Sequence, residues 1–200
     1  PVDLSTAVAG DLVIAEVMVN PSMVTYFRGQ WFEVYNNSST YVDLSGLQIS
    51  DNDSDAFVVS DSIALRPGEY ALFATRLSSS LNGGLPTVDA RYIFASDMAL
   101  DANDELVLSF GAVQFDEVSW NSTDYPSTSG VAKNLGTPSF SASGNDDSTS
   151  WCDATATYGD GDYGTPGDVN NDCDPDTDGD GFDEYTDCDD DDSTVYPGAD

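Results

Sequence analysis

The sequence predicts an all-β fold, an antiparallel sandwich, followed by an irregular Asp-rich segment. Short runs rich in β-branched and aromatic residues recur at about ten-residue spacing, with turn residues between them. No apolar stripe of helical period interrupts them. The acidic residues crowd into the last fifth of the chain. We therefore expect an N-terminal arm over residues 1–10, a sandwich over 11–167 and an acidic segment over 168–200.

The predicted strands share a β-rich or alternating composition, and each one stops at turn residues. Pro67-Gly68 predicts a type II turn, because Pro fixes one φ and Gly accepts a positive one. Gly111 marks a hairpin, and residues 121–150 predict long loops with room for one short closing strand. The predicted strands are Leu12–Val19, Trp31–Tyr35, Tyr41–Val42, Leu47–Ile49, Phe57–Val59, Ser62–Leu65, Tyr70–Phe73, Arg91–Phe94, Glu105–Phe110 and Ala112–Trp120.

Large apolar side chains within these strands are the expected core. Val2, Leu4, Thr6 and Val8 also alternate along the N-terminal arm. This arm could add as a strand to the sheet edge of a neighbouring copy. A loose leader and a strand paired within its own domain are the alternatives. The expected core residues are Phe57, Leu65, Tyr70, Leu72, Leu106, Leu108, Phe115 and Trp120.

Oxygen donors occupy alternate positions through the start of the acidic segment. The central register places Asp176, Asp178 and Asp180 at positions 1, 3 and 5 of a calcium loop, with Gly181 at the turn. Glu184 and Asp187 then fall at positions 9 and 12. The alternative is an acidic, solvated and disordered tail, but disorder requires no regular spacing. We therefore predict Ca²⁺ as the cofactor. The candidate ligands are Asp168, Asn170, Asp172, Asp174, Asp176, Asp178, Asp180, Glu184, Asp187, Asp189 and Asp191.

The net charge of −32, with only five Lys and Arg residues, excludes nucleic acid and anionic membrane surfaces as expected partners. No apolar stretch is long enough to predict a membrane span. The chain begins at Pro1 rather than Met, which we interpret as a processed, secreted product or a fragment. We expect an extracellular or cell-surface location, where millimolar calcium and disulfides both occur.

Three cysteines lie in or beside the acidic segment. Pairing of Cys152 with Cys173 would tie the aspartate ladder to the preceding domain, and this is the pairing we favour. Pairing of Cys173 with Cys188 would instead bracket the central loop. Either choice leaves one thiol, which a cysteine beyond Asp200 could take if the natural chain continues.

The amino-acid composition does not favour an enzymatic function. Histidine is absent, which removes the commonest general base and the usual nitrogen ligand of zinc. Glu16 and Glu33 on adjacent predicted strands could act as a glycosidase pair. We favour a structural role, in which each one accepts hydrogen bonds from loop backbone near a sheet edge. Asp51, Asp53 and Asp55 predict an Asp-rich turn rather than an ion site.

Short motifs along the chain resemble, in order, the signatures of the lamin-tail domain. Asp187-Cys-Asp-Asp followed by Val195-Tyr-Pro-Gly-Ala199 is similar to a metal-binding repeat of secreted bacterial proteins, and the acidic segment as a whole resembles thrombospondin type 3 calcium repeats. The resemblance implies an immunoglobulin-like sandwich of the bacterial secreted kind, used for interaction and tethering, without a catalytic centre. The lamin-tail motifs are Val13–Pro21, Trp31–Asn36, Val42–Gly46, Leu47–Asp51, Pro67–Tyr70, Gly111, Asp116–Trp120, Ser150–Cys152 and Gly164–Gly167.

The expected function is therefore that of a non-enzymatic, extracellular, calcium-binding structural or interaction protein. Its partners would be calcium ions and other protein units, including further copies of itself in a filament. The alternative is a targeting or adhesion module of a larger secreted enzyme or surface protein.

Overall fold

A computed structural model of the chain describes residues 1–52, 55–123, 127–136, 140–171, 173, 178, 188–189 and 191–198. The described residues form short strands, one helix of four residues (α1, Tyr26–Gly29) and two 3-10 turns at Leu4–Thr6 and Ser148–Ser150. The strands are β1 Val2–Asp3, β2 Leu12–Met18, β3 Trp31–Asn36, β4 Val42–Asp43, β5 Gln48–Ser50, β6 Ala56–Val58, β7 Ala64–Leu65, β8 Tyr70–Ala74, β9 Ala90–Arg91, β10 Asp104–Phe110, β11 Val113–Trp120, β12 Lys133–Leu135, β13 Trp151–Asp153, β14 Thr157–Tyr158 and β15 Asp162–Tyr163.

Two larger sheets form the body. One has six strands in the order β13-β12-β2-β3-β8-β9, and the other has four in the order β11-β10-β5-β6. A small sheet β1-β4-β7 and the hairpin β14-β15 complete the described strands. Most neighbours are antiparallel, and the parallel pairs are β1 with β4 and β8 with β9. The predicted all-β, immunoglobulin-like sandwich is confirmed.

The main core lies between the two larger sheets. The rings of Phe32 and Phe73 stack there with centroids 5.0 Å apart, and Tyr92 packs against Phe32. Most of the expected core residues are buried as predicted, but Phe57 and Tyr70 are only half-buried. The buried members of the prediction are Leu65, Leu72, Leu106, Leu108, Phe115 and Trp120.

A second apolar layer covers the outer face of the six-stranded sheet. Met18, Trp31 and Leu72 project there, beneath Leu85, Ala132 and Ala154 among others. Every residue of β2 is consequently buried, since both faces of this strand are covered. A strand buried on both faces shows a nearly continuous apolar run rather than alternation, and in Leu12–Met18 the single polar residue is Glu16.

A β-bulge interrupts the pairing of β2 with β3. The register shifts by one residue between Ile14 and Glu16, and β12 pairs with β2 only at Glu16 and Val17. Backbone groups of Ile14 and Ala15 bond instead to side chains outside the strand ladders. Polar side chains supply the missing bonds: Asp116 accepts from the Ile14 N–H at 2.7 Å, and Asn145 donates to the Ile14 carbonyl at 3.2 Å. The bulge is therefore held by buried polar groups from distant parts of the chain.

Several elements differ from the sequence-based expectation. β1 pairs with β4 of the same chain, so of the alternatives for the arm, pairing within its own domain is the one observed. β12 fills the place of the short closing strand, while β13, β14 and β15 were not predicted. Each of these strands is only two or three residues long, which is too short to show a detectable alternation of apolar and polar residues. Among the described residues, no helix is long and apolar enough to cross a membrane.

Candidate functional site

Glu16 and Glu33 lie directly opposite each other on β2 and β3. Both project from the outer face of the six-stranded sheet, and both are fully buried. The prediction that they lie near a sheet edge is wrong, because β12 and β8 flank these two strands and place them in the middle of the sheet. The order of strands in a sheet depends on long-range pairing, which local sequence patterns do not reveal.

One short C-terminal loop supplies the hydrogen bonds to both carboxyl groups. Thr165 donates its backbone N–H to Oε1 of Glu16 at 2.9 Å and its hydroxyl to Oε2 at 2.8 Å. Gly167 donates its N–H to Oε1 of Glu33. The favoured interpretation, in which each glutamate accepts from loop backbone, is therefore confirmed. Oε2 of Glu33 is buried, and no described residue forms a hydrogen bond with it.

Burial dominates the electrostatics of this pair. Desolvation raises the pKa of Glu16 to about 7, against the opposing effect of the Thr165 donors. Desolvation also raises the pKa of Glu33 well above its usual value, and the neighbouring Glu16 adds to this shift. Two carboxylates held this close disfavour simultaneous ionisation. The pair therefore retains a proton at pH values where exposed glutamates are fully ionised.

Asn170 fixes the chain a few residues further on. Its side-chain amide donates to the carbonyl of Ala15 at 2.8 Å and to that of Leu135 at 2.9 Å. Its Oδ1 lies 3.3 Å from the hydroxyl of Thr165. Asn170 thus bridges the bulge of β2 and the end of β12, and in the structure this predicted metal ligand makes its contacts to the sandwich.

A disulfide joins Cys152 on β13 to Cys173, which is the pairing favoured from the sequence. Gly136 passes directly beside it, and a Cβ at this position would lie 2.6 Å from the Cβ of Cys173. Asn134 adds a hydrogen bond to the carbonyl of Asn171 at 3.1 Å. We call residues 164–171 together with Cys173 the anchor segment, since these contacts bind it to the outer face of the sheet.

The predicted metal ligands fall partly within the described residues. Asp168 begins the ladder inside the anchor segment, and its Oδ1 accepts from the Val169 N–H. Asp178, Asp189 and Asp191 are also described. No three carboxylate or thiol side chains form a metal-holding group within the described part of the chain. The predicted ligands outside it are Asp172, Asp174, Asp176, Asp180, Glu184 and Asp187.

Hydrogen bonds join Asp51 to Asp55. The N–H of Asp55 donates to Oδ1 of Asp51 at 3.0 Å, and the N–H of Asp51 donates to the carbonyl of Asp55. Asp53 lies outside the described residues. The preferred interpretation of this stretch, a turn in which Asp side chains bind backbone, agrees with these bonds.

Sequence reasoning missed the residues that complete the site. Thr165, Gly167 and Asn171 had no assigned role, and neither did Asp162, whose buried carboxylate accepts from the backbone and hydroxyl of Ser22. The available signal was Gly164-Thr-Pro-Gly167, a turn sequence whose N–H groups need acceptors. The identity of those acceptors depends on contacts more than a hundred residues away in sequence.

The comparison with known families agrees with this architecture. The lamin tail domain family matches residues 5–161, most of the sandwich. None of the curated proteins compared with the chain matches it. The lamin tail domain is an immunoglobulin-like structural family rather than an enzyme family. Because the match covers well over half of its length, the chain belongs to the lamin tail domain family.

Proposed function

We propose that this protein is a non-enzymatic, extracellular interaction module whose acidic segment binds calcium. The observation that carries the proposal is the anchor segment. Four separate attachments, at Glu16, Glu33, Asn170 and the disulfide, hold the start of the aspartate ladder against the sandwich. Because its first residues are fixed to the sandwich, an acidic segment that becomes ordered on binding calcium would also be fixed in orientation relative to the sandwich.

Charge explains why the segment would need the ions. Residues 174–200 contain twelve acidic side chains and no Lys or Arg. Mutual repulsion keeps such a segment extended, and it has few apolar residues to bury. Each calcium ion would remove two negative charges and draw alternate carboxylates around itself. We propose that calcium thereby orders the segment and restricts the angle between this domain and the next unit.

The location follows from the same chemistry. Disulfides such as Cys152–Cys173 persist in oxidising compartments. Loop sites with weak affinity fill at the millimolar calcium concentrations of the extracellular space. Both features favour a secreted or cell-surface protein.

Calcium titration by isothermal calorimetry tests the proposal. Calcium binding by the full chain should give a heat signal and a dissociation constant on the order of 10⁻⁴–10⁻³ M, as for extracellular calcium-binding modules. The variant Asp176→Asn/Asp178→Asn/Asp180→Asn should lose at least one site. A matched control, Asp61→Asn/Asp101→Asn/Asp160→Asn, removes three exposed charges from the sandwich and should bind as the wild type does. An absence of heat in the wild type, or equal binding by both variants, would contradict the proposal.

A further inference from the structure

Three of the five basic residues lie on neighbouring segments: Arg28 on α1, Arg76 just after β8 and Arg91 on β9. Arg76 donates from a terminal guanidinium nitrogen to the carbonyl of Thr75 at 2.7 Å, and Arg91 donates from Nε to the same oxygen at 3.3 Å. The N–H of Thr75 in turn donates to the carbonyl of Gln30, two residues after the exposed Arg28. We call Arg28, Arg76 and Arg91 the arginine corner.

No carboxylate pairs with these three arginines among the described residues. The ion pairs there are Arg66 with Glu69 and Lys133 with Asp153. This is unexpected in a chain with 37 acidic residues. Two guanidinium groups on one carbonyl oxygen repel each other, and an anion placed beside them would relieve that repulsion. Guanidinium groups favour carboxylates, which they bind through paired hydrogen bonds.

Exposed aromatic and aliphatic side chains border the arginine corner. The ring of Tyr26 makes edge contacts with Phe27 and Phe94 at 5.8 and 5.3 Å, and the Arg28 guanidinium lies 5.7 Å from the centre of the Phe27 ring. Tyr26 is 55 % exposed and Ile93 is 48 % exposed. Aromatic residues and arginine together are the composition that dominates binding energy in protein interfaces.

Cys173, which directly precedes the acidic residues 174–200, is attached on the opposite side of the sandwich. Cys173 is tied to β13, which forms one edge of the six-stranded sheet, and Arg91 lies on β9, which forms the other. Five strand spacings separate these edges by roughly 24 Å. The chain therefore carries a basic, aromatic surface at one edge of this sheet and the attachment point of its most acidic segment, Cys173, at the other.

We infer that the arginine corner of one copy binds the acidic segment of a second copy. The inference rests on the interaction role proposed above and names the partner of the acidic segment. Contact between two different surfaces is head-to-tail, so repetition builds an open chain of copies. Calcium loading is compatible with this contact, since three ions would cancel only half of the twelve charges after Cys173. Phe182 and Tyr185 in the segment supply apolar groups for the aromatic border.

Sedimentation velocity over a range of protein concentrations tests this inference. The wild-type chain should associate reversibly, and association should weaken as salt screens the charges. The variant Arg28→Gln/Arg76→Gln/Arg91→Gln should associate about tenfold more weakly or not at all. Arg66→Gln is the matched control, because Arg66 is exposed but lies outside the arginine corner. Circular dichroism and thermal unfolding check that all variants are folded.

A labelled peptide of residues 174–200 identifies the partner. It should bind the wild type and the Arg66→Gln variant but not the triple arginine variant, and an excess of it should dissolve the assemblies. A control peptide with Asn and Gln in place of Asp and Glu should not bind. Binding of polygalacturonate without binding of the acidic peptide would overturn the inference, and so would equal association of wild type and triple variant. Peptide binding that depends on the three arginines supports the inference whatever the calorimetric result with calcium. The proposal of calcium binding and the proposal of contact between copies can therefore be refuted independently.

Discussion

Glu16 and Glu33 face each other across β2 and β3, and both accept hydrogen bonds from the loop 165–167. Two buried acids in the middle of an apolar sheet would be costly without partners. The loop supplies donors to both. The site therefore serves to hold the anchor segment, and through it the base of the acidic ladder, on the sandwich.

Replacing Glu16 with alanine should destabilise the fold by about 2–4 kcal/mol, because the Thr165 N–H would lose its acceptor and a cavity would remain where the buried side chain was. Glu16→Gln keeps one acceptor oxygen and should cost less than half as much. Urea unfolding at about pH 5, where the protonated pair adds no repulsion, measures both. Exposed Asp61→Ala is the control and should change little. A Glu16→Ala variant as stable as this control would contradict the anchoring role.

The free energy of unfolding should fall as the pH rises from about 5 to 8. The pKa of Glu16 is about 7 in the folded state and 4.5 in the unfolded chain, and that of Glu33 is raised in the same direction. Between these values the folded state binds more protons than the unfolded state. Their stabilising contribution is thus complete below pH 4.5 and is lost as the pH passes through the folded pKa.

The contribution of Glu16 and Glu33 to this loss of stability can be distinguished from that of other buried acids. Asp104 and Asp116, whose pKa values burial raises to about 6, contribute with the same sign. Glu16→Gln/Glu33→Gln should therefore reduce the loss between about pH 5 and 8 by roughly 2–3 kcal/mol without abolishing it. Denaturant titrations of both proteins in calcium-free buffer provide the comparison. Identical pH profiles would show that the pair does not titrate as described.

The sequence predicted the body of the sandwich better than its outer layer. Long apolar or alternating runs such as Leu12–Val19 and Glu105–Phe110 correspond closely to β2 and β10, because each carries its own periodic signal. Glu16 and Glu33 were also assigned correctly as acceptors for loop backbone. The sequence did not reveal that this loop is residues 165–167, nor that β2 and β3 are central. Both depend on pairing between distant parts of the chain, which has no local signature.

A substitution at Asn170 distinguishes a role in holding the anchor segment from a role as a calcium ligand. Asn170→Asp retains oxygen atoms that could bind calcium, but it removes the two donors to Ala15 and Leu135. We expect this variant to lose about 2–3 kcal/mol of stability while calcium affinity stays within the range of the wild type. Unfolding and calorimetry on the same sample measure both quantities. Tighter calcium binding with unchanged stability would identify Asn170 as a ligand instead.

The disulfide should stabilise the fold by restricting the unfolded chain. Cys152 and Cys173 are 21 residues apart, a separation for which a loop-closure model gives about 3 kcal/mol. Cys152→Ser/Cys173→Ser should lose about this amount in thermal and urea unfolding. Cys188→Ser should have no such effect, since Cys188 does not take part in this disulfide. Equal stability of the double serine variant and the wild type would show that the link is dispensable.

Limited proteolysis with and without calcium tests most directly the claim that calcium orders the acidic segment. Mass spectrometry of the digests locates each cut in the chain. With calcium present, residues 174–200 should resist cleavage, and chelation should make them sensitive while the sandwich stays intact. The Asp176→Asn/Asp178→Asn/Asp180→Asn variant should be cut in both conditions. Cleavage of the wild-type segment at the same rate with calcium and with chelator would contradict the claim.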